Sequence, residues 1–407
     1  MMKKLLLIFI SLLPFLAKSQ GFQVNLFGEK QIGMGHTGTG LAMDGAAVVF
    51  NPGAVAMLPE NYIQGGISPL VFQSDFNPSG TNTQYHTLDK KAYPFSFYGA
   101  FGPKKGIWKL GFGVYTPFGG LADWGQTWQG RYVLESLNLK AIYFQPTLSV
   151  KLSENLSIGA GFVYNHGSVD LTKAIPLSYA NGQDGQAELT GSGKGYGWNA
   201  GIYYKSADFT AGFSHRSQVT TTISGGNAIF TVPASLQPNF PQPNTFSATI
   251  PLPAVNSIGI GLYPTKKWIL AFDINYTSWS VYKNLEFDYS KTTSILTNTV
   301  SPRNYKDAYT FRAGAQYKAN NQVDLRFGTG YGTTAVADGY VTPEAPDANR
   351  VYLTGGLGIK FTKQLDLDLV FEYEHLMSRT QTNIESQLSG TFETNVFIPG
   401  VSLAYHW

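Results

Sequence analysis

Residues Lys267 to Thr277 alternate with a period of two. Trp268, Leu270, Phe272, Ile274 and Tyr276 are all apolar, with an aromatic at each end. Lys267, Ile269, Ala271, Asp273, Asn275 and Thr277, between them, are mostly small or polar. Successive side chains of a strand point to opposite faces, so this segment has one apolar face and one wetter face. The pattern recurs. Leu365, Leu367, Leu369, Phe371 and Tyr373 oppose Asp366, Asp368, Glu372 and Glu374. Val323, Leu325, Phe327 and Tyr331 oppose Asp324 and Arg326. Tyr309, Phe311 and Tyr317 oppose Arg312 and Gln316. Soluble sandwiches also alternate, but with fewer aromatics and shorter strands. Strands with aromatics at both ends of an apolar face suit a barrel with lipid outside and a wet lumen inside.

The gaps between such segments support that reading. Fourteen strands are expected after residue 60, at 61–72, 92–102, 106–117, 138–152, 155–169, 190–205, 208–223, 244–263, 267–281, 304–318, 322–333, 350–361, 364–378 and 391–407. GPKKG, LSEN, KSAD, PTKK, ANNQ and TKQ are short polar turns. The connections around 73–91, 118–137, 170–189, 224–243, 282–303, 334–349 and 379–390 are long. Outer-membrane barrels are built with short turns at the periplasmic end and long loops outside. The expected fold class is therefore all-β: a transmembrane antiparallel barrel at 61–407. Its last strand ends on Val401, Leu403, Tyr405 and Trp407 and is expected to be read by the outer-membrane insertion machinery. A monomer is expected.

Composition agrees. Charged residues are 14% of the chain, against roughly a quarter in ordinary soluble domains, and aromatics are also 14%. The chain opens MMKKLLLIFISLLPFLAKS. Lys3 and Lys4 precede a short apolar run, and Ala17 and Ser19 are small, as in a signal peptide at 1–19 cleaved before Gln20. Cleavage removes Lys3, Lys4 and Lys18, leaving 26 basic residues against 26 acidic ones. A neutral chain gives no electrostatic reason to bind nucleic acid. With no cysteine, disulfides, thiolate metal sites and a lipoprotein anchor are closed.

One stretch before the first strand is unusually apolar: LAMDGAAVVFNPGAVAML, at 41–58. Asn51-Pro52-Gly53 would break a membrane helix there. A lumen of fourteen strands is wide enough to need filling unless it is an open channel. Residues 20–60 are therefore expected to form a plug, or hatch, inside the barrel.

The chain resembles the FadL/TodX-type outer-membrane transporters of long-chain fatty acids and other hydrophobic compounds. The resemblance rests on GFQVNLFGEKQIGMGHTGTG at 21–40, the Asn-Pro-Gly at 51–53, YTPFGGLADWGQTWQGRY at 115–132 and GFSHRSQV at 212–219. It continues in ATIPLPA at 248–254, FDINYTSWSVYKNL at 272–285, YKDAYTFRAGAQYK at 305–318 and PDANR at 346–350. It implies a fourteen-stranded barrel with an N-terminal hatch (Asn51, Pro52 and Gly53, where the family has Asn-Pro-Ala). It also implies cargo captured by extracellular loops and released sideways into the membrane at an inward kink of the third strand. Gly111, Gly113 and Pro117 are the kink candidates. Phe22 matches the family's N-terminal aromatic, which reaches towards an internal pocket.

The loop expected at 224–243 carries Ile229, Phe230, Val232, Leu236 and Phe240. With Ile175 and Leu177 of the loop expected at 170–189, it resembles the family's surface capture groove; self-packing of the loops is the plainer reading. A carboxylate cargo would need a cation. Arg131, Arg216, Arg312 and Lys318 are candidates, although lumen cations commonly pair with lumen acids.

No cofactor, metal or catalytic site is expected. GMGHTG at 33–38 fits a dinucleotide-binding glycine pattern but lacks the strand and helix around it. The six histidines show no metal-ligand spacing, and no G-x-S-x-G occurs. The expected function is passive uptake of hydrophobic compounds across the outer membrane of a Gram-negative bacterium, with outer-membrane lipid and apolar cargo as partners. The alternatives are a general diffusion porin or a surface adhesin on the same barrel. A porin has an open eyelet, and an adhesin puts its information in its loops.

Overall fold

The computed structural model describes residues 21–177 and 179–407. The expected signal peptide at 1–19 lies outside the described residues. Fourteen antiparallel strands close into one barrel. They are β1 (Tyr62–Ile67 and Leu70–Pro78), β2 (Tyr85–His86, Lys91–Ala92 and Phe95–Phe101), β3 (Trp108–Asp123), β4 (Ser136–Lys151), β5 (Leu156–Ile175), β6 (Gly185–Lys205) and β7 (Phe209–Arg216 and Val219–Thr231). They continue with β8 (Asn244–Leu252 and Val255–Thr265), β9 (Trp268–Thr277 and Asn284–Tyr289), β10 (Thr299–Pro302 and Ala308–Lys318), β11 (Val323–Gly332), β12 (Arg350–Lys360), β13 (Leu365–Thr382) and β14 (Ser389–His406). Tyr62 pairs with His406 and Ile67 with Val401, so β1 and β14 close the ring at the short-turn end.

The alternation holds. Trp268, Phe272 and Ile274 are exposed, while Ala271, Asp273, Asn275 and Thr277 are buried. Outward aromatics gather near both ends of the apolar band. Trp268 lies 4.8 Å from Tyr317 near the turns, and Phe144, Tyr164 and Tyr196 form a row towards the loops at 5.9 and 5.7 Å. Phe272→Arg should lower the folded fraction, read by heat-modifiable gel mobility, because a lipid-facing cation near the midplane costs roughly 2–4 kcal/mol. Thr292→Arg, in an exposed loop, should fold like the parent.

Strand number and order match expectation, but several strands run further towards the loops. β3 reaches Asp123 rather than 117, β5 reaches Ile175 rather than 169, β6 starts at Gly185 rather than 190, and β7 reaches Thr231 rather than 223. The apolar alternation stops where lipid stops. The hydrogen-bonded ladder does not, because polar residues pair equally well above the membrane.

Residues 21–60 lie inside the ring. They form two single-turn helices, α1 (Glu29–Ile32) and α2 (Ala47–Phe50), and a 3-10 segment, Pro52–Met57. Many of their polar groups bond inward side chains around the circumference. Asp273 Oδ2 accepts the N–H groups of Gly38 (3.0 Å) and Thr39 (2.9 Å). Gln145 Nε2 donates to Val48 O at 2.7 Å, and Ser157 Oγ donates to Gly53 O at 2.6 Å. Lys30 pairs with Asp366 at 3.1 Å, and His36 Nε2 lies 2.7 Å from Glu372. The acidic face of β13 is thus answered largely from within.

Two glycines of this segment are set by contact with the wall. Gly35 has φ +65°, and a Cβ there would come within 2.7 Å of Ala313 O. At Gly53 a Cβ would meet Gly201 O at 2.8 Å. The glycine that replaces the family's alanine therefore answers close approach to β6. Asn51 beside it accepts from Gly53 N and donates to Ile202 O at 3.0 Å each.

Candidate functional site: two cavities and a gap in the wall

The wall is interrupted between β2 and β3. Their ladder runs only from Phe101↔Leu110 to Phe97↔Val114, whereas the β3–β4 ladder continues to Asp123↔Ser136. Beyond Val114 the two strands part. The register of β3 on β4 shifts between Tyr115 and Phe118, around Thr116 and Pro117. Pro117 lacks an N–H, and a bulge bends the strand that carries it. Gly111 and Gly113 do not form the kink. They sit in regular ladder, and a Cβ on either would meet Val48 of the N-terminal segment, at 2.7 and 3.4 Å. The N-terminal segment takes the free edge of β3: Val24 N–H donates to Pro117 O at 2.8 Å, and Gly119 N–H to Phe22 O at 3.1 Å.

A lateral cavity of about 420 Å³ opens at this gap. Its lining includes inward residues such as Phe22, His36 and Glu372. It also includes Phe95 of β2 and Lys140 and Ile142 of β4, which lie on the outer face of their strands. The cavity thus reaches residues of both faces of the wall at the gap.

A second cavity of about 230 Å³ lies towards the loops. Most of its wall is apolar, with Leu171, Leu189, Ile223, Ile250 and Phe287 among its members. One corner is charged. Arg303 contacts Glu344 at 2.5 Å and Ser301 Oγ at 2.6 Å. Lys173 also lines it, and its ammonium has no ion-pair partner among the described residues. The two cavities share Phe22, Gly120, Leu139, Glu344 and Ala345. Phe22 is held there by edge contacts with Trp279 (4.8 Å), Tyr282 (5.6 Å) and Phe118 (6.3 Å). It is part of the partition.

The other candidate residues are placed differently. Arg131 is in the β3–β4 connection, not the lumen, and pairs with Asp184 at 2.7 Å. That hydrogen bond lowers the pKa of the Asp184 carboxyl, so the loop-to-loop tie persists to lower pH than an unpaired carboxylate would allow. Arg216 and Arg312 face inwards but bond the N-terminal segment. Arg216 donates to Val49 O at 3.1 Å and lies over the Phe27 ring; Arg312 donates to His36 O at 3.0 Å. Lys318 sits at the short-turn end and lines neither cavity.

The groove candidates turn inwards on one another. Ile175 ends β5, and Ile229 and Phe230 lie within β7 rather than in loops. Phe230 packs on Phe240 and on Tyr289, each at 5.6 Å. Val232 is buried with them, and Ile175, Leu177 and Leu236 pack against the same core. Ile229 is exposed on the opposite face. Most of these residues cap the loop-end cavity, through Tyr289 in its wall, instead of forming an open groove. Lys173 and Arg303 were missed. The signal for Lys173 was available, since it shares the inward phase of β5 with Val169 and Leu171.

The comparisons with known proteins agree with this architecture. The family model described as "Outer membrane protein transport protein (OMPP1/FadL/TodX)" matches residues 10–407. The long-chain fatty acid transport protein of Salmonella typhi is 25% identical over 404 residues, covering 92% of this chain and 91% of the relative. That of Escherichia coli K12 is 24% identical over 414 residues, covering 92% of both. A Pseudomonas aeruginosa FadL homologue superposes with a TM-score of 0.81 at 18% identity, over 95% of this chain and 99% of the other. The Pseudomonas putida toluene transporter TodX gives 0.73 at 17% identity, over 94% and 98%. This chain therefore belongs to the OMPP1/FadL/TodX family of outer-membrane transport proteins.

Proposed function

We propose that the protein carries hydrophobic molecules passively from the cell exterior into the outer membrane. Cargo enters the loop-end cavity, passes Phe22 and leaves sideways between β2 and β3. The observation that carries this reading is the lateral cavity lined by both faces of the wall. Residues 20–60 act as the plug and 61–407 as the conduit, after loss of a signal peptide at 1–19. The C-terminal strand to Trp407 is what the insertion machinery reads, and one copy suffices. Transport involves no catalytic step. A lumen filled around its circumference argues against a general porin, which needs an open eyelet.

The cargo is a long-chain fatty acid or another apolar molecule, as the names of the relatives suggest. For an acid, Lys173 is the cation we assign to the carboxylate in the loop-end cavity, because Arg303 is already engaged by Glu344. Phe22 touches both cavities, and aromatic pairs contribute roughly 0.5–1.5 kcal/mol each beyond area burial. Phe22→Ala should therefore weaken binding of a fluorescent long-chain fatty acid about tenfold, the equivalent of ~1.4 kcal/mol. An unchanged titration would remove Phe22 from the route.

A further inference from the structure

The charges that line the lateral cavity are unevenly placed. Deep in it stand Glu344, Asp347, Glu372 and Glu374. The deep cations are all engaged. Arg350 contacts Glu374 at 2.6 Å and Asp347 at 3.0 Å, and His36 contacts Glu372. Glu344 is held from the other side by Arg303. Each deep carboxylate is thus matched by a group already engaged with it, and the deep part of the cavity offers a cargo carboxylate no free cation among the described residues.

The mouth is the reverse. Its charged residues are Lys91 on β2 and Lys140 on β4. Both are exposed, and neither has an ion-pair partner among the described residues. They lie on either side of the gap: Lys91 pairs with Val71 of β1, and Lys140 pairs across β3 with Gly119, which also lines the cavity. Lys140 lies four residues loop-ward of Phe144 in the aromatic row, about 10 Å above it for a tilted strand. That is the head-group zone, where a carboxylate sits when its tail is in the membrane.

We propose that Lys91 and Lys140 form an exit station for the carboxylate of an acidic cargo. Deep in the lateral cavity the head group finds no free cation. The two lysines draw it to the mouth while the tail slides between β2 and β3 into lipid. This rests on the transport reading above and makes the chain selective, at the exit, for long-chain carboxylic acids over neutral molecules of the same length.

The test compares a long-chain fatty acid with the matching long-chain alcohol. Both are delivered to proteoliposomes whose outer leaflet contains lipopolysaccharide, and the readout is the ratio of acid to alcohol uptake. In Lys91→Gln/Lys140→Gln the ratio should fall about threefold, as expected for two solvent-exposed charge contacts. Lys91→Glu/Lys140→Glu should lower it further, and Lys91→Arg/Lys140→Arg should restore it. High salt should lower the parental ratio towards that of the Gln variant. A ratio unchanged in the Gln variant, although the parent carries both molecules, would overturn the exit station and leave the transport reading standing. Acid and alcohol falling together would assign the lysines to lipid phosphate and equally overturn it. If the parent speeds neither molecule, the transport reading falls and the exit station with it.

Discussion

A chain lacking residues 21–60, with residues 1–20 retained, is expected to insert as a barrel and to leak. Every strand pairs with both of its neighbours, from Tyr62↔His406 round to β14, with interrupted stretches such as the one between β2 and β3. Removing the plug therefore leaves the ladders that a membrane barrel requires. It empties a lumen wide enough for an aqueous path. It also strips Asp273, Asp366, Glu372 and Arg216 of their internal partners, which hydrates the bore. Liposome swelling with small polar solutes and single-channel conductance should both rise well above the parent. Uptake of apolar cargo should lose its selectivity, because Phe22 no longer divides the cavities. Pro52→Leu should leak less, since it disturbs only the 3-10 segment that starts at Pro52. Swelling as fast with the intact chain as with the deletion would mean that residues 21–60 are no plug, and the open-porin alternative would then be the better description.

The second large effect is expected at Gly120. It lines both cavities, and a Cβ placed on it meets only Leu137 Cδ2, at 3.7 Å. A side chain can therefore be added without displacing backbone. Gly120→Trp puts an indole, among the largest apolar bodies available, into the passage beside Phe22. Uptake of a long-chain fatty acid should drop to the rate of vesicles without protein, while heat-modifiable gel mobility stays parental. Gly120→Ala, with room for its methyl group, should transport normally. Normal transport by the Trp variant would mean that cargo does not cross between the two cavities at this point.

Much of this architecture is legible in the residues because a barrel wall separates two solvents. The alternation from Trp268 to Tyr276 exists only because lipid lies on one side. The same logic located the short turns. What the alternation cannot carry is the part of the chain beyond the lipid. β5 to Ile175 and β7 to Thr231 remain paired strands above the membrane, where no solvent difference marks their faces. Phe230 and Ile229 therefore read as neighbours in one loop, although they point to opposite sides of one strand. The candidate cations failed for another reason. Arg216, Arg312 and Arg131 are each taken by a partner distant in sequence: Val49, His36 and Asp184. Pairing across a closed barrel is not visible along the chain. The gap itself was signalled by Pro117, but the glycines near it serve the plug. Their small size makes room for Val48 rather than for a kink.

The central claim is that cargo leaves through the wall between β2 and β3. The most direct measurement is photocrosslinking with a diazirine-bearing long-chain fatty acid, followed by mapping of the adducts by mass spectrometry. The expected adducts fall on Phe22, on Tyr93 and Phe95, and on Gly119 to Leu121 and Ile142, which together line the lateral cavity and both margins of the gap. Adducts running instead to Lys30, Tyr263 and Lys360, in the polar pit of the short-turn end, with none on β2 or β3 beside the gap, would contradict it.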